Sequence, residues 1–171
     1  MSTITPRATG RRDDRAGTPY LVFERTFRAP IADVWAAVTE PERLERWIGT
    51  WSGDPASGAI AFRMTAEGED VPEEEIVIDE CVEPTRLVLR SATPDDPQRL
   101  WRWELALAEA DGVTTLTFAQ EVTNVAIAES VGPGWDYYLD RLVTACGGAD
   151  PGQITFEPYL ERSDHYRGLF V

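Results

Sequence analysis

Apolar and polar residues begin to alternate at Leu21. Leu21, Phe23, Arg25 and Phe27 fall on one side and Val22, Glu24 and Thr26 on the other, the two-residue period of a strand. Ala29-Pro30 ends that run, and Pro30 suits a helix start. Val34, Trp35 and Val38 then recur at helical spacing and predict a short helix over Ile31–Val38. Thr39, with Pro41 after it and Glu42 three residues on, predicts the cap of a second helix carrying Leu44, Trp47 and Ile48 and closing at Gly49. Alternation returns in Ile60, Phe62 and Met64, a second strand, and in Glu75–Val82, a third. Glu83-Pro84-Thr85 turns into a fourth, Arg86–Ser91, and Thr93–Pro97 reads as a loop.

The clearest strand is Arg99–Ala108. Trp101, Trp103, Leu105 and Leu107 share one face, and Arg102, Glu104 and Ala106 the other. Asp111-Gly112 marks a hairpin, and Val113–Val122 completes it, with Leu116, Phe118, Gln120 and Val122 on one side. After Ser130-Val131-Gly132-Pro133-Gly134 comes an amphipathic helix. Trp135, Tyr138, Leu139, Leu142 and Cys146 form its apolar stripe, Asp136, Asp140 and Arg141 face solvent, and Gly147-Gly148 ends it. The order is strand, two short helices, an antiparallel meander of about five strands, and one long helix that must cover the sheet. A strongly curved sheet around one helix leaves a hollow between them.

Residues 1–18, rich in Arg, Thr, Gly and Asp, carry no apolar pattern and are expected to be disordered, with structure beginning near Tyr20. The domain is placed at 19–149. Residues 150–171 hold Phe156, Tyr159, Tyr166, Leu169 and Phe170; so aromatic a tail is expected to dock on its own domain or on a second copy of it.

Composition narrows the function classes. The 16 basic residues, all Arg, stand against 30 acidic ones, giving a net charge of −14. That excess opposes nucleic-acid and anionic-membrane binding, which need cations. No apolar run is long enough to span a membrane, and the N-terminus lacks a secretory core. The absence of Lys removes Schiff-base chemistry and the Walker lysine. A single His165 and two distant cysteines, Cys81 and Cys146, leave no cluster for zinc and no ready nucleophilic triad. No metal or cofactor is expected. Two isolated cysteines fit a reducing, cytoplasmic setting, although spacing alone leaves a Cys81–Cys146 bridge open. They read most simply as buried small residues, and His165 as a surface residue. The all-Arg choice fits a GC-rich genome.

The candidate chemistry is aromatic. Trp101, Trp103, Phe118, Phe62, Met64, Trp135 and Tyr138, with Leu139 and Leu142, are placed between sheet and helix, where they pack a core or wall a small-molecule pocket. Trp47 and Trp51 read as mouth or lid residues. Gln120, a polar residue on an apolar face, needs a partner. Arg25 is the candidate polar anchor, and Tyr137 and Tyr138 offer phenols. The acidic stretch Glu67–Glu75 lacks a calcium-loop pattern and reads as a solvated hairpin tip.

The segment FERTFRAPIADVWAAVTEPERLERWIG resembles the start of START-like (SRPBCC) domains, in particular the bacterial relatives of the heat-shock-protein-90 ATPase activator C-terminal domain. Ala29-Pro30, Val34-Trp35, Ala37, Thr39, Pro41-Glu42, Leu44 and Trp47 carry the resemblance. GPGWDYYLDRLVTACGG is similar to the closing helix of that family, through Gly134-Trp135 and the Leu139 to Leu142 spacing. The resemblance spans Tyr20 to Gly148. It implies an α+β helix-grip fold, a curved antiparallel sheet of about six strands around a long C-terminal helix, with two short helices after the first strand and a deep cavity.

Members of that family bind lipids, sterols, polyketides and other hydrophobic ligands. Some are aromatase/cyclases, some serve ring-hydroxylating oxygenases and some assist a chaperone. With one His, the metal ligands of the ring-hydroxylating members cannot be assembled. Eukaryotic chaperone relatives carry an additional N-terminal domain for which this length leaves no room. Three readings follow. The first is a non-catalytic protein whose partner is a hydrophobic or aromatic small molecule. The second is an aromatase/cyclase- or dehydratase-type enzyme using Arg25 in the same cavity. The third is an interaction module acting on a chaperone through its acidic surface.

Overall fold

The computed structural model describes residues 6–68, 71–91, 101–122 and 125–170. Strand β1 (Arg11–Arg15) pairs with β2 (Thr18–Phe27) through a tight turn in which Ala16 and Gly17 both take positive φ, 51° and 85°. Structure therefore starts before Tyr20, correcting the expectation of a disordered lead-in; residues 1–5 of that segment lie outside the described residues. The reason is tertiary. A strand reading Arg-Arg-Asp-Asp-Arg has no apolar period, but it pairs with β2 and sets Arg12 over the Phe170 ring, 5.1 Å from its centroid, and Arg15 over Tyr20.

Helix α1 (Ile31–Thr39) begins where Glu109 accepts the Ile31 N–H at 2.7 Å. The Thr39 hydroxyl donates back to Trp35 O and so closes α1, and Glu40 takes the cap position of α2 (Pro41–Leu44) instead. That second helix is one turn long; Trp47 and Ile48 lie in the turn beyond it. Strand β3 (Thr50–Ser52) is too short to carry an alternation signal. It is followed by β4 (Ala59–Arg63), β5 (Glu74–Val82), β6 (Arg86–Ser91), β7 (Arg102–Ala110) and β8 (Val113–Glu121). Asp111-Gly112 makes the expected hairpin turn, again with two positive φ values. The loop expected at Thr93–Pro97 and the start of the strand expected from Arg99 lie outside the described residues, as do Glu69 and Asp70 of the acidic stretch.

The strands form one antiparallel sheet of eight, in the order β1-β2-β8-β7-β6-β5-β4-β3. The meander β3 to β8 runs in sequence order, and α1 and α2 carry the chain from β2, beside β8, to the opposite edge at β3. A bulge between Ile78 and Glu80 bends β5. The sheet exceeds the expected six strands by β1 and β3.

Helix α3 (Val125–Cys146) lies across this sheet. It starts ten residues before Trp135, through the Gly132-Pro133-Gly134 segment expected to precede it. Local propensity reads those residues as a breaker, but tertiary packing overrides it, because small residues there let the tail approach the helix closely. The tail forms α4 (Glu157–Leu160) and α5 (Ser163–Leu169) and packs on α3 of its own chain, burying Tyr159 and Tyr166. Leu21, Phe23, Val34, Leu116, Leu139 and Leu142 sit at the centre of the core. Each such side chain contributes about 1.5–3 kcal/mol by leaving water. Cys81 and Cys146 are free and exposed rather than buried. Each closes an element, Cys81 one residue before the end of β5 and Cys146 at the end of α3. Among the described residues no helix is long and apolar enough to cross a membrane.

Candidate functional site

A hollow of about 730 Å³ lies between the sheet and α3. Strands β4 to β8 supply one wall through inward positions such as Phe62, Ile76, Leu87, Leu89, Trp103, Leu105 and Phe118. The end of α1, Leu44 and Trp47 supply the second wall, and Val131, Trp135 and Tyr138 of α3 the third. Phe156, just before α4, closes part of the rim against Tyr137, with ring centroids 5.2 Å apart. The rings are fixed. Trp47 donates its indole N–H to Ala37 O at 2.9 Å, and Trp51 donates to Thr39 O at 2.7 Å, so carbonyls at the C-terminal end of α1, which lack partners within the helix, hold both. Phe118 packs on Trp135 at 4.3 Å between centroids, and Trp101 meets Trp103 edge-on at 6.0 Å.

Gln120 is the polar centre of this wall. It is 0 % exposed, and its Oε1 accepts from Trp103 Nε1 at 3.1 Å and from Trp135 Nε1 at 2.6 Å. One carbonyl thereby ties the sheet to the helix across the hollow. Two indole N–H groups are donors only, so they fix the orientation of the amide and leave Nε2 as its donor end. That Nε2 is buried without a partner among the described residues, as is Trp101 Nε1. A buried, unpaired donor costs about 1–3 kcal/mol.

A second polar cluster lies on the other side of α3. Arg25 of β2 reaches Asp136 through Nη2 at 3.0 Å and Asp140 through Nε at 3.1 Å, and its Nη1 donates to Thr9 Oγ1 and to Glu24 O. Tyr166 donates to Asp136, and Tyr159 donates to Asp140 at 2.7 Å. Gly10 N–H donates to the Tyr166 oxygen at 3.1 Å. Burial pushes Asp140 above the ordinary carboxylate range, offset in part by the Tyr159 hydrogen bond and by Arg25. Burial, reinforced by the neighbouring carboxylates, also raises both phenols. The cluster joins the N-terminal segment, β2, α3 and the tail.

The family described as Activator of Hsp90 ATPase homolog 1-like protein matches residues 28–147, from the end of β2 to the end of α3. The chain belongs to this family. No curated protein is a significant match. Among solved structures, CalU16 from Micromonospora echinospora is similar over 94% of this chain and 95% of its own, at 26% identity and a TM-score of 0.73. EF2215 from Enterococcus faecalis, titled a conserved protein of unknown function, is similar over 95% and 92%, at 20% identity and a TM-score of 0.70. DynU16, titled as a protein of the dynemicin biosynthetic locus, is similar over 81% of this chain and 49% of its own, at 20% identity and a TM-score of 0.57. These likenesses place the chain in the START-like superfamily with a helix-grip fold.

Within this activator-homologue fold, the residues singled out from sequence separate into three groups. Trp47, Trp51, Phe62, Met64, Trp101, Trp103, Phe118, Gln120, Trp135 and Tyr138 all line the hollow. Trp47 is 5 % exposed and held by α1, which makes it wall rather than mouth. Leu139 and Leu142 do not reach the hollow; they are packed in the core beneath it. Arg25 does not reach it either, because Asp136, Asp140, Thr9 and Glu24 take its donors behind α3. Asp136 and Asp140, expected on a solvated face, lie under the tail, Asp136 fully buried and Asp140 partly.

Sequence reasoning passed over Leu87, Leu89, Ile76 and Phe156. The first two were legible from register, since Leu87 pairs with Leu105 and Leu89 with Trp103 and so they share that face. Phe156 was not, because only the docking of the tail brings it there. Among the described residues no group of three His, Cys, Asp or Glu is placed to hold a metal.

Proposed function

We propose that this chain binds a hydrophobic, ring-bearing small molecule in the hollow between the sheet and α3, and that it holds the molecule rather than transforming it. The observation that carries this reading is the wall itself. Some 730 Å³ is enclosed largely by aromatic and aliphatic side chains, with the Gln120 amide at its polar centre. Ligand pockets have this size and this balance of apolar wall and few polar groups. Arg25, the donor that a cyclase- or dehydratase-type reading needs, is spent in the cluster behind α3. Among the described residues Glu74 is the one carboxylate in the wall, so no pair of carboxylates faces the space. The placement of DynU16 in a biosynthetic locus supports a role in handling a small product.

The test is retention. The purified protein is incubated with a metabolite extract, desalted and examined by native mass spectrometry. A bound mass retained by the wild type and lost from Trp103→Ala, with the variant still folded, is expected. Retention of nothing by the wild type, or of the same mass equally by both, overturns the reading.

A further inference from the structure

Gln120 Nε2 is fixed as a donor by the two indoles that claim the other end of its amide, and it has no partner among the described residues. Trp101 Nε1 repeats the pattern. It belongs to the residue two positions before Trp103, which sits opposite Gln120, so Trp101 and Gln120 share one face of the sheet and both residues line the same hollow, their two donors set just beneath its surface. Both are donors only; neither can accept. A wall so built discriminates by hydrogen-bond sense, because a ring system without an acceptor leaves both groups unpaired while one with an acceptor pairs with one of them.

We infer that the hollow selects ring-bearing ligands whose inner edge carries a hydrogen-bond acceptor, a ketone, quinone or ether oxygen, and that Gln120 Nε2 and Trp101 Nε1 are the selecting groups. This rests on the reading of the hollow as a ligand site and adds the chemical class that fits it. Hydrocarbon rings of the same shape are disfavoured.

Two probes of nearly equal shape separate the two levels of the argument: 9-fluorenone, with a carbonyl at its bridge, and fluorene, with a methylene there. Binding is followed by quenching of the tryptophan fluorescence and confirmed by calorimetry. The wild type is expected to bind fluorenone about tenfold more tightly than fluorene, the discrimination a single satisfied buried donor commonly supplies. Trp101→Phe keeps the ring and removes one donor, and it should bring the ratio towards one. Gln120→Met removes the other but also strands the two indoles, so its folding is checked by circular dichroism, and Trp101→Phe decides if it fails to fold. Equal affinities in the wild type overturn the acceptor preference and leave the hollow as a binding site. Binding of neither probe overturns the hollow as a site for ring-bearing ligands and the preference with it. A tenfold ratio that survives Trp101→Phe, and Gln120→Met where it folds, removes these two groups as the source of selection.

Discussion

The ring of Tyr166 occupies the space that a side chain on Gly132 would need: a Cβ added to that glycine would overlap the ring. Gly10 is pressed from the other side, where an added Cβ would fall 2.6 Å from Tyr166 Cε1 and 2.8 Å from Phe23 Cε2. Tyr166 is therefore clamped between the N-terminal segment and α3, with its hydroxyl on Asp136. The mid-helix glycine is explained by what lies on it.

Gly132→Ala is expected to destabilise the protein by about 1–3 kcal/mol, the usual cost of overpacking a filled site. Alanine's better helix propensity, worth up to about 1 kcal/mol, works in the opposite direction. Urea unfolding measures the balance. Stability equal to or above that of the wild type would mean the tail does not sit on Gly132 in solution.

Arg25 is the cation that buried Asp136 and partly buried Asp140 share. Arg25→Met leaves both of them without it and should cost about 3–5 kcal/mol at neutral pH, as breaking a buried pair does. A loss below about 1 kcal/mol, the value of an exposed pair, would show that water reaches the cluster.

Asp140 sets the sign of one pH effect. Its carboxyl in the folded chain lies above its ordinary value of 3.8, chiefly through burial, so the folded state takes up this proton before the unfolded state does. Its contribution to stability therefore rises on acidification from neutral pH and is complete below 3.8. Asp140→Asn removes that component. The stability of the wild type relative to the variant should increase between about pH 7 and pH 4, measured by thermal melts at a series of pH values. A constant or shrinking difference contradicts the placement of Asp140.

Phe156 closes part of the rim and is only half-buried. Phe156→Ala should speed the exchange of a bound fluorescent probe several-fold in stopped-flow displacement, while stability falls by less than about 1.5 kcal/mol. An unchanged exchange rate would mean that ligands enter elsewhere.

Periodicity made the wall legible wherever strands carry it. Phe62, Trp103, Phe118 and Gln120 follow from alternation alone, and Gln120 stood out as a polar group on an apolar face. The helix was harder. Trp135, Tyr138, Leu139 and Leu142 share a stripe, but height along α3 decides whether a residue meets the hollow or the solid core, and no periodicity encodes height. Arg25 lies on the predicted apolar face of its strand, yet its carboxylate partners come from residues more than a hundred positions away. Strand β1 likewise owes its placement to β2 and the tail, and the tail owes its own to α3.

Strand β1 ends the sheet. Its sequence Arg11-Arg12-Asp13-Asp14-Arg15 makes that margin a poor template for another chain, because an incoming strand would meet a row of fixed charges of both signs instead of a surface it could zip onto. The segment expected from sequence to be disordered thus guards the molecule against growing into fibres. Neutralising it with threonines should show first as turbidity at high protein concentration, before any loss of native signal.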